Sequence, residues 1–200
     1  MRENSFGHFV LRVAAWLPLA FALWYIAAPL LVWPVTLLST GVARGAFGDL
    51  VRGVEQNGQV ITFVTGLRPG QATTSADAVA VLSFDVNVLV YSFGLPMLAA
   101  LSLAARRQGW WRTLLLGYLV LLPFETWSVV AELLKDVAIG AGPAVASQTG
   151  FTAIEREVIA FAYQFGSLIL PAVAPAVVWV LTHRRFLESL SGVGRRAQET

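Results

Sequence analysis

Val13 to Ala43 reads VAAWLPLAFALWYIAAPLLVWPVTLLSTGVA and contains no Asp, Glu, Lys or Arg. A helix needs roughly 20 mostly apolar residues to cross a hydrocarbon core about 30 Å thick, and this run exceeds that length. Val86 to Ala105 (VNVLVYSFGLPMLAALSLAA) and Val158 to Thr182 (VIAFAYQFGSLILPAVAPAVVWVLT) are equally free of charge. Thr113 to Leu134 reaches the same length while carrying Glu125 and Glu132 inside it. The expectation is an all-α membrane protein, a four-transmembrane-helix bundle with spans at 13–38, 86–105, 113–134 and 158–182.

Composition agrees with that reading. Hydrophobic residues make up 56% of the chain and charged residues 13%, where a soluble domain carries about 25% charged residues. The mean hydropathy is +0.67. The first run is about twice the length of a signal-peptide h-region and no A-x-A site follows it, so it reads as a retained span. Its three prolines, Pro18, Pro29 and Pro34, predict a kinked helix that ends near Pro34, tolerated in membranes because neighbours satisfy the freed carbonyls. The sequence has no cysteine and two histidines, His8 and His183. Disulfides, thiolate nucleophiles and thiolate metal sites are therefore excluded, and no metal or cofactor is expected.

Orientation follows from the basic residues. With the N-terminus inside, segments 1–12, 106–112 and 183–200 hold nine arginines: Arg2, Arg12, Arg106, Arg107, Arg112, Arg184, Arg185, Arg195 and Arg196. The segments left outside, 39–85 and 135–157, hold five basic residues and seven acidic ones. Lys and Arg near span ends collect on the cytoplasmic side, so both termini are expected in the cytoplasm. The net charge of +2 lies at membrane ends, where it meets anionic lipid headgroups. A membrane-lipid partner is expected and a nucleic-acid partner is not.

Residues 39–85 are too many for a plain connector and predict a small α+β extracytoplasmic insertion between the first two spans. Phe47, Leu50, Val51 and Val54 recur at helical spacing between Arg44, Asp49 and Arg52, which predicts an amphipathic helix over Ala43–Val54 lying on the membrane surface. Asn57-Gly58 is a two-residue hairpin signal. The β-branched run Gln59–Thr65 predicts a strand, Arg68–Gln71 a further turn and Ala78–Phe84 another strand, giving a β-meander. So small a sheet is marginal alone and is expected to lean on the helix ends or a partner.

Charged groups in hydrocarbon are costly and mark functional sites by default. Glu125 lies 13 residues after Arg112, about two thirds of the way across its helix at ~1.5 Å per residue. Glu132, seven residues later, returns to the same helical face. Gln164, with Tyr163 beside it, falls at a depth similar to Glu125 on the last span. Asn87 and Tyr91 are a turn apart at the start of the second. Glu125, Glu132, Gln164, Tyr163, Asn87 and Tyr91 together predict one polar cluster between helices. It would serve as a ligand or partner site or a proton or ion site built around Glu125, or as hydrogen-bonding glue between the spans; these readings stand open.

A catalytic reading finds little support. Ser92, Ser128 and Ser167 have no histidine at their depth to act as base, and Glu125 and Glu132 lie about 10 Å apart along the helix axis. The internal repeats and broken helices of transporters are not evident. Gly94, Pro96, Pro171 and Pro175 predict bends in the second and fourth spans. Trp110 and Trp111 beside Arg112 fit an interfacial aromatic belt.

Several motifs carry a resemblance. Glu55–Leu67 (EQNGQVITFVTGL), Asn87–Leu101 (NVLVYSFGLPMLAAL), Leu121–Lys135 (LLPFETWSVVAELLK) and Gly150–Leu187, with YQFGSLILPAVAPAVVW followed by HRRFL, resemble the exosortase H-associated membrane protein family. The resemblance covers most of the chain. It implies a bacterial inner-membrane protein that accompanies an exosortase, a membrane transpeptidase that processes proteins bearing a C-terminal sorting signal. Those enzymes use a cysteine nucleophile, which this chain lacks, so the resemblance implies a noncatalytic accessory with an exosortase or its sorted substrate as partner. The competing expectation is a small transporter or lipid-binding protein with an intramembrane carboxylate site at Glu125.

Overall fold

The computed structural model describes residues 3–69, 81–105, 109–184 and 187. Helix α1 covers Glu3–Phe47 without a break and does not end near Pro34 as its prolines predict, because apolar and helix-compatible residues continue to Phe47. Three strands follow, β1 (Val51–Asn57), β2 (Val60–Thr65) and β3 (Ser83–Asn87), and β3 leads into α2 (Leu89–Ser92) and α3 (Gly94–Ala104). Helix α4 (Trp110–Lys135) runs on into a π-helical turn at Asp136–Gly140. A short α5 (Pro143–Ala146), then α6 (Ala153–Gln164), a second π-helical turn at Phe165–Ile169 and α7 (Leu170–Thr182) complete the described chain.

Three helical stretches, Gly7–Phe47, Trp110–Gly140 and Ala153–Thr182, are long and apolar enough to cross a membrane. The fourth apolar stretch, Leu89–Ala104, is shorter. It falls short of the helix read over 86–105 because the sheet takes its first residues: Val86 pairs with Ile61 and Asn87 with Val60. A run that is apolar throughout conceals such a change from strand to helix, since periodicity cannot separate a buried strand from a buried helical segment.

The small sheet has the order β1-β2-β3 with both pairings antiparallel. Along β2, Ile61, Phe63 and Thr65 are buried while their neighbours are half-buried, the alternation of a strand with one face on a core. The amphipathic helix expected over Ala43–Val54 does not form. Residues up to Phe47 extend α1, a turn closes with Leu50 N donating to Phe47 O at 2.9 Å, and Val51 onward is strand. Gly48 ends the helix at a point where a Cβ would lie 2.8 Å from Arg44 O. Leu50, Val51 and Val54 satisfy a helical period, but backbone pairing of Val51–Asn57 with β2 overrides it. The hairpin loop is Gly58-Gln59, one residue later than the sequence signal, with Asn57 paired to Val60 and Gly58 at φ 61°. The first loop position needs a positive φ, which glycine adopts without a Cβ penalty. The third strand also lies later, at 83–87 rather than 78–84; the predicted turn and strand residues between 70 and 80 lie outside the described residues.

The chain divides into two compact units. The first draws on Met1–Ala27, Phe93–Leu121 and Ala172–Thr200. Its core is Leu98, Leu121, Val178 and Trp179, with Phe9, Leu114 and Ala174 packed around them. Phe9 stacks on Trp179 at 5.9 Å and His183 on the same indole at 5.2 Å.

The second unit comprises Ala28–Ser92 and Leu122–Pro171 and contains the sheet. The Gln56 amide fastens the hairpin to α1: Nε2 donates to Pro29 O at 2.9 Å and to Gly58 O at 2.8 Å, while Thr36 Oγ1 donates to Oε1 at 3.0 Å. At the other end of the sheet, Gln148 bonds the Arg68 backbone in both directions, at 2.9 and 3.0 Å. Thr152 and Glu155 form a capping box that starts α6, satisfying amide groups the helix itself cannot. The sheet thus leans on helices, as its size requires.

Candidate functional site

The polar residues of the second unit are organised by α4, whose stretch PFETWSVVAELLK presents different faces every three or four residues. Glu125 is buried at 5% exposure, and among the described residues it has no hydrogen-bond or ion-pair partner. On the next residue, the Thr126 hydroxyl is also buried and without a partner.

One turn further on, Ser128 Oγ donates to Phe124 O at 2.9 Å and to Gly166 O at 2.8 Å. The second bond has a specific origin. In a π-helical turn the carbonyl of residue i is met by the N–H of i+5, and five residues after Gly166 stands Pro171, which has no N–H. The Ser128 hydroxyl supplies the missing donor. The same approach requires glycine: a Cβ on Gly166 would lie 3.1 Å from Ser128 Cα and 3.2 Å from Trp127 Cδ1. Trp127 Nε1 donates to Ala162 O at 3.2 Å, a second bond from α4 to α6.

Two turns beyond Glu125, Glu132 is half-buried and accepts a hydrogen bond from Tyr91 OH at 2.5 Å. Lys135 forms an ion pair with Asp136 at 2.5 Å, and its ammonium sits 4.7 Å from the centre of the Tyr163 ring. A cation over a tyrosine face is attracted by the ring quadrupole.

The structure therefore splits the single cluster expected from the sequence. It joins Tyr91 to Glu132 directly, and it places Tyr163 under the neighbouring Lys135. Glu125 stands apart, about 10 Å from Glu132 along the axis at seven residues of separation. Asn87 is exposed at the end of β3, and its Oδ1 accepts from Leu89 N at 3.1 Å at the start of α2. Gln164 is exposed, with no side-chain hydrogen bond among the described residues. Sequence reasoning missed Lys135 and Asp136, which it assigned to a connecting loop because charge ends a hydrophobic count. It also missed the contact of Ser128 with Gly166, for which the only signal was a glycine five residues before a proline.

Chemically the set offers a tyrosine hydroxyl on a carboxyl, a neutralised lysine and an unpartnered carboxyl. Among the described residues no group of three His, Cys, Asp or Glu side chains could hold a metal ion. Ser128 directs its hydroxyl hydrogen at carbonyl oxygens, the geometry of a helix tie and not of a nucleophile facing a base.

Long apolar helices, a small sheet fastened to them and polar side chains buried between them define a multi-helix membrane protein. The chain belongs to the exosortase H-associated membrane protein family, whose model matches residues 3–186. No curated protein and no solved structure matches the chain.

Proposed function

We propose that this chain is a noncatalytic accessory protein of the bacterial inner membrane that binds an exosortase, or the protein an exosortase sorts, through its extracytoplasmic sheet and its helix faces. The observation that carries the reading is membership of an exosortase-associated family over residues 3–186, in a chain with no cysteine to serve as the transpeptidase nucleophile. In this reading all four apolar stretches span the membrane, both termini are cytoplasmic, and the sheet with the 135–157 connection lies outside. The nine-to-five distribution of basic residues between the two sides supports that orientation.

Affinity-tagged chain, solubilised in a mild detergent from its own bacterium, should bring down a sortase-like membrane protein, and deletion of its gene should leave sorting-signal proteins unprocessed. Recovery of no such protein together with unchanged processing would overturn the proposal.

A second reading is favoured by one specific observation, the buried Glu125 without a hydrogen-bond partner. Buried polar groups are nearly always satisfied, and each exception needs an explanation. Here Glu125 is the carboxyl of a small transporter or lipid-binding protein, awaiting a ligand group. Glu125→Gln would then abolish function with the fold intact; function retained in that variant counts against a ligand role.

A further inference from the structure

The apolar stretch Leu89–Ala104 is shorter than the other three. Its sixteen residues reach about 24 Å at ~1.5 Å each, against a hydrocarbon core of about 30 Å. A turn at Phe93 between α2 and α3 shortens that reach further. Neither flank adds length. On one side stands β3, whose residues Ser83, Asp85 and Asn87 are exposed and whose backbone is committed to β2. On the other side Arg106 and Arg107 follow at once.

A second length agrees with the first. The hairpin bonds α1 at Pro29 through Gln56 Nε2, and Asn57 at the end of that hairpin is exposed. Sixteen residues separate Arg12 from Pro29, again about 24 Å. A sheet with open edges does not enter hydrocarbon, and β1 and β3 are both edges. The other face of α1 differs: Leu30, Trp33 and Leu37 are exposed while Ala28, Val32 and Val35 are buried, so lipid tails reach farther out along that face.

A span that is too short is accommodated by a thinner bilayer, by flanking side chains that snorkel, or by association with other spans. Long arginine side chains can snorkel at one end. At the other, Asp85 and Asn87 are too short, and Asp85 is already bonded to Thr62 at 2.6 Å. Val90, at 53% exposure, leaves the short span open to lipid. We infer that the bilayer is thinned beside the sheet and Leu89–Ala104, to about 24 Å of hydrocarbon, and that this strip gathers phospholipids with short acyl chains. The inference rests on Leu89–Ala104 spanning the membrane and is independent of any exosortase contact. The three longer stretches, of 41, 31 and 30 residues, would favour a thick bilayer, so the direction of the lipid preference is diagnostic.

The chain has no cysteine, so single ones report on chosen positions. In spheroplasts, a membrane-impermeant maleimide should label Asn87→Cys and leave Trp110→Cys untouched until the membrane is opened. Labelling of both from one side would remove the span, and the inference with it. With the span in place, a second measurement decides alone. The full chain is placed in phosphatidylcholine vesicles holding equal parts of fourteen-carbon and twenty-carbon lipid, with bromine on the chains of one or the other. A fluorophore on Val90→Cys should be quenched several-fold more by the short lipid. One on Leu30→Cys, 76% exposed on the other face of α1, should be quenched equally by both. Equal quenching at Val90, or a preference there for the long lipid, would overturn the inference. So would weak quenching by both, since a protein neighbour would then cover the short span. A fluorophore on Asn87→Cys should stay in water as the vesicles change from fourteen-carbon to eighteen-carbon lipid, because the bilayer yields there. Emission shifting to that of an apolar site would count decisively against the thinning. Asn57→Cys, at the hairpin end of the same sheet, repeats the measurement if Asn87→Cys does not fold.

Discussion

Glu125 and Glu132 lie on one face of one helix, two turns apart, and live in different surroundings. Glu132 is half-buried and accepts from Tyr91 at 2.5 Å, with the Lys135–Asp136 pair on the turn that follows. Glu125 is almost wholly buried and has no such partner. Between them, Ser128 meets the Gly166 carbonyl that Pro171 leaves free. A shared face fixes direction and nothing more; what lies opposite is decided by the neighbouring element. Opposite Glu132 stands the entry helix α2 with its tyrosine. The contrast predicts that removing Glu132's partner is destabilising and removing the Glu125 carboxyl is not.

The largest effect is expected between the two carboxyls. Gly166→Leu forces a side chain against the Ser128 backbone, and overpacking of this kind costs about 1–3 kcal/mol or more. Thermal unfolding in detergent should show the greatest drop for this variant, and Gly166→Leu unfolding like the native chain would mean that the two helices do not touch at Ser128. Tyr91→Phe should come next. It leaves Glu132 short of a donor, at a cost of about 1–2 kcal/mol, and a double-mutant cycle with Glu132→Gln should return a coupling of about 0.5 kcal/mol or more. Additive effects in that cycle would erase the difference between the carboxyls.

Gln56→Ala tests a region away from both. It removes two side-chain bonds joining the hairpin to α1 and one within the hairpin, at about 1 kcal/mol in total because the amide is only half-buried. Amide exchange should accelerate in Val60–Thr65 more than in α4. Glu125→Leu should have the smallest effect on stability, with the opposite sign: replacing an unsatisfied buried carboxyl with an apolar group of similar size is neutral or gains up to about 1 kcal/mol. A clear loss of stability in Glu125→Leu would show that Glu125 has a structural partner. Gain of stability with loss of accessory function would be the mark of a ligand-binding group held against its own folding preference.

Much of the fold is legible in the sequence because the bilayer demands length and apolarity, and both can be counted. The stretches around Val13–Ala43, Thr113–Leu134 and Val158–Thr182 became long helices for that reason, and Asn57-Gly58 located the hairpin to within one residue. The rest was hidden by ambiguity in the residues themselves. Val51 and Val54 suit a helical stripe and a strand equally, and only their pairing partners in β2 decide. Val86-Asn87-Val88 continues an apolar run into α2, so the end of β3 is invisible without the sheet beside it. Within the site, Tyr91 and Glu132 were legible as members of one polar cluster, but their direct pairing was not. Lys135 over Tyr163 was not, because a hydropathy count stops at the charged pair while the helix runs on through it into the π-helical turn Asp136–Gly140.

Helix α1 is 45 residues long, close to 68 Å at ~1.5 Å per residue, whereas the oily interior of a bilayer is about 30 Å deep. No membrane can swallow it whole. Part of its length must therefore lie beyond the lipid tails, and the Gln56 amide bonds the helix at Pro29 and Thr36, between its two ends. Leu30, Trp33 and Leu37 stay exposed along the same length, at 76%, 58% and 52%. Side chains so apolar suit oil better than water, so this is the stretch of the rod fit for the tails, leaving its ends to reach past them.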